Sequence, residues 1–206
     1  MKPVLLINPN SSEKTTNSMT LIARRYLPDV LGWTNKKGPK MIVDANEFRE
    51  AADKIARAKW PNVSAMIIAA FGDPGAERLC RRLDIPVIGI GAAAARVAAL
   101  DNVSFAVVTT TPKLTSIINP LMQKNGGNAY LGCYLTEGNP LFLASNPEAL
   151  DESLIKACEV AKCAGADRVI IGGGPLGEAA IRISTKVTVP LIQPLAVACS
   201  EVLSAM

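Results

Sequence analysis

Ser64 to Gly75 reads SAMIIAAFGDPG. Met66, Ile67 and Ile68 supply the short apolar run of a buried strand. Ala69 and Ala70 form a small-residue exit, and Gly72, Asp73, Pro74 and Gly75 break the strand. A helix from Ala76 to Leu83 is expected next, and Pro86 opens a second buried strand, PVIGIG. The same unit returns at Arg168, as RVIIGGGPLGEAAIR and then VTVPLIQPLAVAC. Ile67–Ile68 matches Ile170–Ile171, Ala69–Ala70 matches Gly172–Gly173, Pro74 and Pro175 both lie in the turns, and Pro86 matches Pro190, about half the chain apart. A strand–turn–helix–strand unit occurring twice suggests a duplicated domain. By pseudo-symmetry both small-residue strand ends face one shared cleft, and in parallel α/β sheets ligands bind at the carboxyl ends of strands.

Outward from these two units the chain keeps a β-then-α rhythm, the signature of parallel α/β architecture. Pro3 to Ile7 reads as a buried strand ending in the turn and N-cap residues Asn8-Pro9-Asn10-Ser11-Ser12. A helix over Glu13–Tyr26, a short strand at Met41–Val43 and an amphipathic helix over Glu47–Trp60 follow, the last with Ala51, Ala52, Ile55 and Ala56 inward. Beyond PVIGIG come a helix over Ala92–Leu100 and a strand at Phe105–Thr109, closed by Thr110-Thr111-Pro112. The second half repeats the pattern: a helix over Lys113–Asn125 stopped by Gly126–Gly127, and a strand at Tyr130–Leu135. Ser145-Asn146-Pro147-Glu148 then starts a helix that Gly165 closes, and a last helix spans Ala196–Ala205.

With 206 residues the chain can build one large core or two small ones, and 49% apolar residues with no long polar tract indicate a fully folded protein. The net charge of +4 is mild. Lys36, Lys37 and Lys40, and Arg78, Arg81 and Arg82, read as solvated surface rather than a nucleic-acid footprint. There is no histidine, which removes Ser-His-Asp triads, Cys-His dyads and histidine-ligated metals together. The five cysteines are odd in number and contain no CxxC, so neither a disulfide framework nor a zinc site is indicated, and a reducing cytoplasm is the expectation. The opening apolar run is too short for a signal peptide or a membrane span.

Several stretches carry candidate chemistry. GIGAAA at 89–94 has dinucleotide-type spacing, but the acid about 20 residues on is missing, which favours close helix–strand packing over a nicotinamide site. Asn10 offers an amide donor and acceptor to a ligand, or caps the next helix. Thr109, Thr110 and Thr111 sit at a strand end beside a helix start, where hydroxyls and free amides hold a carboxylate or imide oxygen, or are ordinary β residues. Asp73 and Glu178 are the acids nearest the two central strand ends: each is either a base if desolvated, or a turn residue and a first-turn helix acid respectively. The cysteines read as buried small hydrophobes, with Cys133 the one on a candidate strand.

INPNSS at 7–12, AFGDPG at 70–75, PVIGIGAAA at 86–94, FAVVTTT at 105–111 and VIIGGGPL at 169–176 together resemble the aspartate/glutamate/hydantoin racemase superfamily, closest to its hydantoin and allantoin racemase branch. The resemblance covers nearly the whole length. It implies two α/β lobes related by a pseudo-twofold, each a mostly parallel sheet flanked by helices, with the site in the interlobe cleft. Residues 1–94 would form the first lobe, joined by a C-terminal helix at 195–206, and residues 95–194 the second. It also implies a cofactor-independent enzyme with a small-molecule substrate, no nucleic-acid or membrane partner, and a closed homo-oligomer.

In that family two cysteines face each other across the cleft; one takes the Cα proton as thiolate and the other returns it to the opposite face. The motif positions here are Ala70 and Gly173, and the glutamate usual after the GIG turn is Ala92. The binding parts carry over: Asn10 and Ser11 for an amide or carboxylate, Thr110 and Thr111 with the amides at Ala70 and Phe71, and the amides of Gly173 and Gly174. With both thiols gone, Asp73 or Glu178 is the expected proton carrier. Hydrolysis, decarboxylation or another lyase or isomerase reaction on a small carboxylate, amide or cyclic ureide replaces racemisation, with a non-catalytic ligand-binding homologue as the alternative.

Overall fold

The computed structural model describes residues 2–206. In chain order its elements are β1 (Val4–Asn8), α1 (Glu13–Ala23), β2 (Val30–Thr34), α2 (Ala45–Arg57), β3 (Ala65–Ile68), α3 (Ala76–Cys80), β4 (Val87–Gly89), α4 (Ile90–Ala98), β5 (Phe105–Thr109), α5 (Thr115–Gly126), β6 (Tyr130–Leu135), α6 (Pro140–Ser145), α7 (Pro147–Cys163), β7 (Arg168–Ile171), α8 (Gly177–Ile183), β8 (Leu191–Ile192) and α9 (Pro194–Ala205). The strands form two four-stranded sheets of the same order, β2-β1-β3-β4 and β6-β5-β7-β8, with every pairing parallel. The architecture is thus α/β, two parallel sheets flanked by helices.

Period-two alternation sorts the strand side chains between two faces. On the first sheet Val4, Leu6, Ala65 and Ile67 face a central core, while Leu5, Ile7, Met66 and Ile68 face an outer one with Ile55 of α2 and Leu79 of α3. On the second sheet Phe105, Val107 and Ile170 join the same central core, and Ala106, Val108, Val169 and Ile171 face outward to α7 and α8. The central core therefore belongs to both sheets. Met19 and Ile22 of α1, Ala94 and Ala98 of α4, Ile118 and Met122 of α5, and Leu195, Cys199 and Val202 of α9 fill it. No helix among the described residues is long and apolar enough to cross a membrane.

Two local expectations are corrected. The second strand of the first sheet is Val30–Thr34, not Met41–Val43. Val43 donates its N–H to the Glu47 carboxylate at 2.8 Å, while Asp44 caps α2 through the amides of Asn46 and Glu47. The Glu47 bond takes the donor a strand ladder would need. A short helix, α6, also precedes the expected start at Asn146, capped by Asn139 through the amides of Leu141 and Phe142.

The two sheets touch where their central strands end. A Cβ added to Gly174 would lie 2.3 Å from the Ala69 carbonyl oxygen, a backbone atom that cannot swing aside. Gly174→Ala is therefore expected to cost about 1–3 kcal/mol through overpacking, read as a lower urea midpoint at unchanged m-value.

Candidate functional site

In each sheet the chain leaves the first strand to one side and returns on the other, so β1 and β3, and β5 and β7, flank a topological switch point. A crevice opens there at the carboxyl ends. Asn10 after β1, Ala69 to Phe71 after β3, Thr109 to Thr111 at the end of β5, and Gly172 to Leu176 after β7 line one cavity of about 50 Å³. Met41, Ile42, Phe48, Leu114 and Ile118 complete its apolar walls. No histidine, cysteine, acid or base is among the lining residues.

The hydrogen-bond network fixes what this wall offers. The Asn10 backbone N–H donates to Asn8 Oδ1 at 3.2 Å, so the Asn8 Nδ2 faces Asn10 Oδ1 and Thr16 Oγ1, both at 2.9 Å. Asn10 Oδ1 also accepts from the Ser12 N–H at 3.0 Å. A backbone N–H can only donate, so the amide orientation follows, and Asn10 Nδ2 is left as a donor for a ligand. On the second lobe Thr109 Oγ1 donates to the Gly172 carbonyl at 2.7 Å. The hydroxyl shared with Thr111, at 3.2 Å, must then be donated by Thr111. Thr111 consequently presents only lone pairs, whereas the Thr110 hydroxyl has no protein partner among the described residues. The N–H groups of Ala70, Phe71, Thr110, Thr111 and Gly173 donate to no backbone acceptor among the described residues.

A family model described as Asp/Glu/Hydantoin racemase matches residues 4–202. The chain belongs to this family. Hydantoin racemase of Rhizobium meliloti is 30% identical over 196 residues, covering 91% of this chain and 81% of that protein. Hydantoin racemase of Paenarthrobacter aurescens is 27% identical over 208 residues, covering 95% and 87%. Allantoin racemase from Klebsiella pneumoniae superposes with a TM-score of 0.86 at 27% identity, covering 99% of this chain and 87% of that one.

Against this racemase frame, Asn10, Ala70, Phe71, Thr110, Thr111, Gly173 and Gly174 all line the cavity, and Ser11, Asp73 and Glu178 do not. Ser11 donates its N–H to the Pro39 carbonyl at 2.8 Å, and its neighbour Ser12 caps α1. Glu178 lies in a wider outer groove, accepting from Ser18 of α1. Asp73 turns away: its two carboxylate oxygens accept from the N–H groups of Gly91 and Ala92, each at 2.7 Å, capping α4 from a different loop. The GIG glycines make room for it, since a Cβ at Gly89 would meet the Asp73 carboxyl carbon at 2.2 Å. The nicotinamide-like spacing is thus a packing socket. The cysteines are elsewhere: Cys158 and Cys199 are buried in the cores, Cys80 and Cys163 are exposed, and burial pushes the Cys133, Cys158 and Cys199 thiols up to about 12. Asn8 and Thr109 stand out in the sequence only as strand-end residues; the structure shows that they fix the hydrogen-bond directions of Asn10 and Thr111.

Burial raises Asp73 from 3.8 to about 7, against the two backbone N–H bonds that pull it down. A raised acid means that the folded state holds the proton more tightly, so the stability tied to this group is present at low pH and falls as pH rises. Between pH 3.8 and about 7 the wild-type urea midpoint is expected to decline relative to Asp73→Asn, with parallel curves above that window.

Proposed function

We propose that the interlobe cavity binds a small, uncharged cyclic amide or ureide and does not racemise it by a two-thiol mechanism. One observation carries this reading: every residue lining the cavity is non-ionisable. Racemisation needs an acid and a base on opposite faces of one carbon, each within hydrogen-bond reach. Ala70 and Gly173, the positions that the resemblance gives to the two cysteines, cannot carry a proton. Unactivated water in their place is a poor base at neutral pH.

The pattern of donors and acceptors supports the ligand class. Asn10 Nδ2 and the free strand-end N–H groups meet carbonyl oxygens, and Thr111 meets an N–H, which together complement the alternating C=O and N–H of a cyclic ureide. A carboxylate would be desolvated here with no counter-cation, at a cost that an uncharged ring does not carry. The relatives named above are racemases of hydantoin and allantoin, both cyclic ureides, which agrees with this class.

A second reading rests on the same free N–H groups. They would stabilise an enolate or oxyanion, so a lyase or hydrolase reaction drawing its proton from water is the catalytic alternative to simple binding.

Hydantoin and allantoin are expected to raise the melting temperature of the wild type, and Asn10→Ala to abolish that protection; unchanged protection would leave Asn10 as a local turn residue only. In D₂O the wild type should leave the Cα proton of 5-substituted hydantoins unexchanged by NMR. The double variant Ala70→Cys/Gly173→Cys should gain exchange, because a Cβ at 173 meets only the movable Leu176 side chain, at 2.9 Å. Wild-type exchange abolished by thiol alkylation would sink the proposal, and new ring-opened or decarboxylated product would favour the second reading.

A further inference from the structure

The inner cavity opens into a second groove of about 320 Å³, and Met41, Thr110, Gly174, Pro175 and Leu176 border both. The groove runs from the start of α1 to α8, with Lys14 and Ser18 on one side, Glu178 and Arg182 on the other, and Lys40 beside Met41. Two features set it apart from ordinary surface. The first is Thr110 on the shared wall. It is only 5% exposed, yet its hydroxyl has no protein partner among the described residues. The hydroxyl oxygen itself keeps some solvent access, so it is open to bond a ligand that spans the junction.

The second feature is charge. Arg182 is neutralised by Asp151, with guanidinium-to-carboxylate distances of 2.8 and 2.7 Å. Glu178 accepts from Ser18. Lys14 and Lys40 form no ion pair with any described residue. The outer groove therefore holds two unpaired cations against one carboxylate, whereas the inner cavity holds no charge.

We infer that the ligand has two parts: an uncharged ring in the inner cavity and a carboxylate tail in the outer groove, held by Lys14 and Lys40, with the Thr110 hydroxyl bonded at the junction. This rests on the ring-binding reading above. Two free cations against Glu178 leave a net charge of one in the groove, which a monoanionic carboxylate balances and a dianionic phosphate exceeds.

Calorimetric titration with hydantoin, hydantoin-5-acetate and the isosteric neutral hydantoin-5-acetamide tests it. At low salt the acetate should bind about five- to tenfold tighter than the acetamide, the scale of two partly exposed charge pairs. That ratio should collapse towards one in Lys14→Gln/Lys40→Gln, whose changes lie on the surface, and should shrink as salt is raised. Equal binding of acetate and acetamide by the wild type, or a ratio that survives the double variant, overturns the two-part ligand and leaves the ring reading standing where hydantoin itself binds. If none of the three binds, both fall.

Discussion

The structure depends on the contact between the ends of β3 and β7. Gly174 packs on the Ala69 carbonyl, and a Cβ at Gly172 would meet Val107 at 2.8 Å and the Phe71 ring at 3.0 Å. Two strands from different sheets meet here almost backbone to backbone, which only glycine and alanine permit. The approach lets the inner faces of both sheets share one core, filled by α1, α4, α5 and α9. It also shapes the cavity. Positions beside the seam are held to small residues, so the space between the switch points is narrow and its polar character comes from backbone N–H groups and the few side chains at its rim.

The duplicated half of this architecture was legible because its signals are local. Apolar runs such as Met66–Ile68 and Val169–Ile171, cut by glycine and proline, declare buried strands without any knowledge of their neighbours. The edges were less legible. β2 carries an exposed Leu31 and a Gly32 that is needed because Thr16 and Thr20 approach within 2.6–2.8 Å of its missing Cβ, so its pattern is broken by tertiary contact. Met41–Val43 has strand-like composition, but the Glu47 carboxylate takes its donor. Propensity was overridden at β2 by side chains from another element and at Met41–Val43 by a local carboxylate at the start of the next helix.

The candidate site was legible as a set of positions and not as a network. Asn10 and the threonines stand out by type and by place at strand ends. What each can donate or accept depends on Asn8 and on the Gly172 carbonyl, and the second of these lies 63 residues along the chain from Thr109. Once those bonds are made, two amide oxygens and two hydroxyl protons are spent, and what remains is a specific arrangement of donors and acceptors. Hydrogen-bond polarity of this kind belongs to the folded state, because a hydroxyl chooses its direction only when a neighbour with a single role is fixed beside it.

Asp73 shows how the same acid can look catalytic in one dimension and structural in three. It lies three residues from Ala70, in a loop leaving the central strand, with a positive φ of 58°. The start of α4 has glycines in place of capping side chains, so its first amides lack a local acceptor. Asp73 supplies one from 18 residues away, entering a space that exists because positions 89 and 91 carry no Cβ. The GDPG and GIG motifs are therefore two halves of one lock between β3 and β4. Each glycine and the aspartate is explained by that contact, and the carboxylate is withdrawn from the cavity by the bonds that hold it. A base serving the cavity would have to come from another residue, and the lining contains none: its polar groups are uncharged, and Lys14, Lys40, Glu178 and Arg182 line the groove outside.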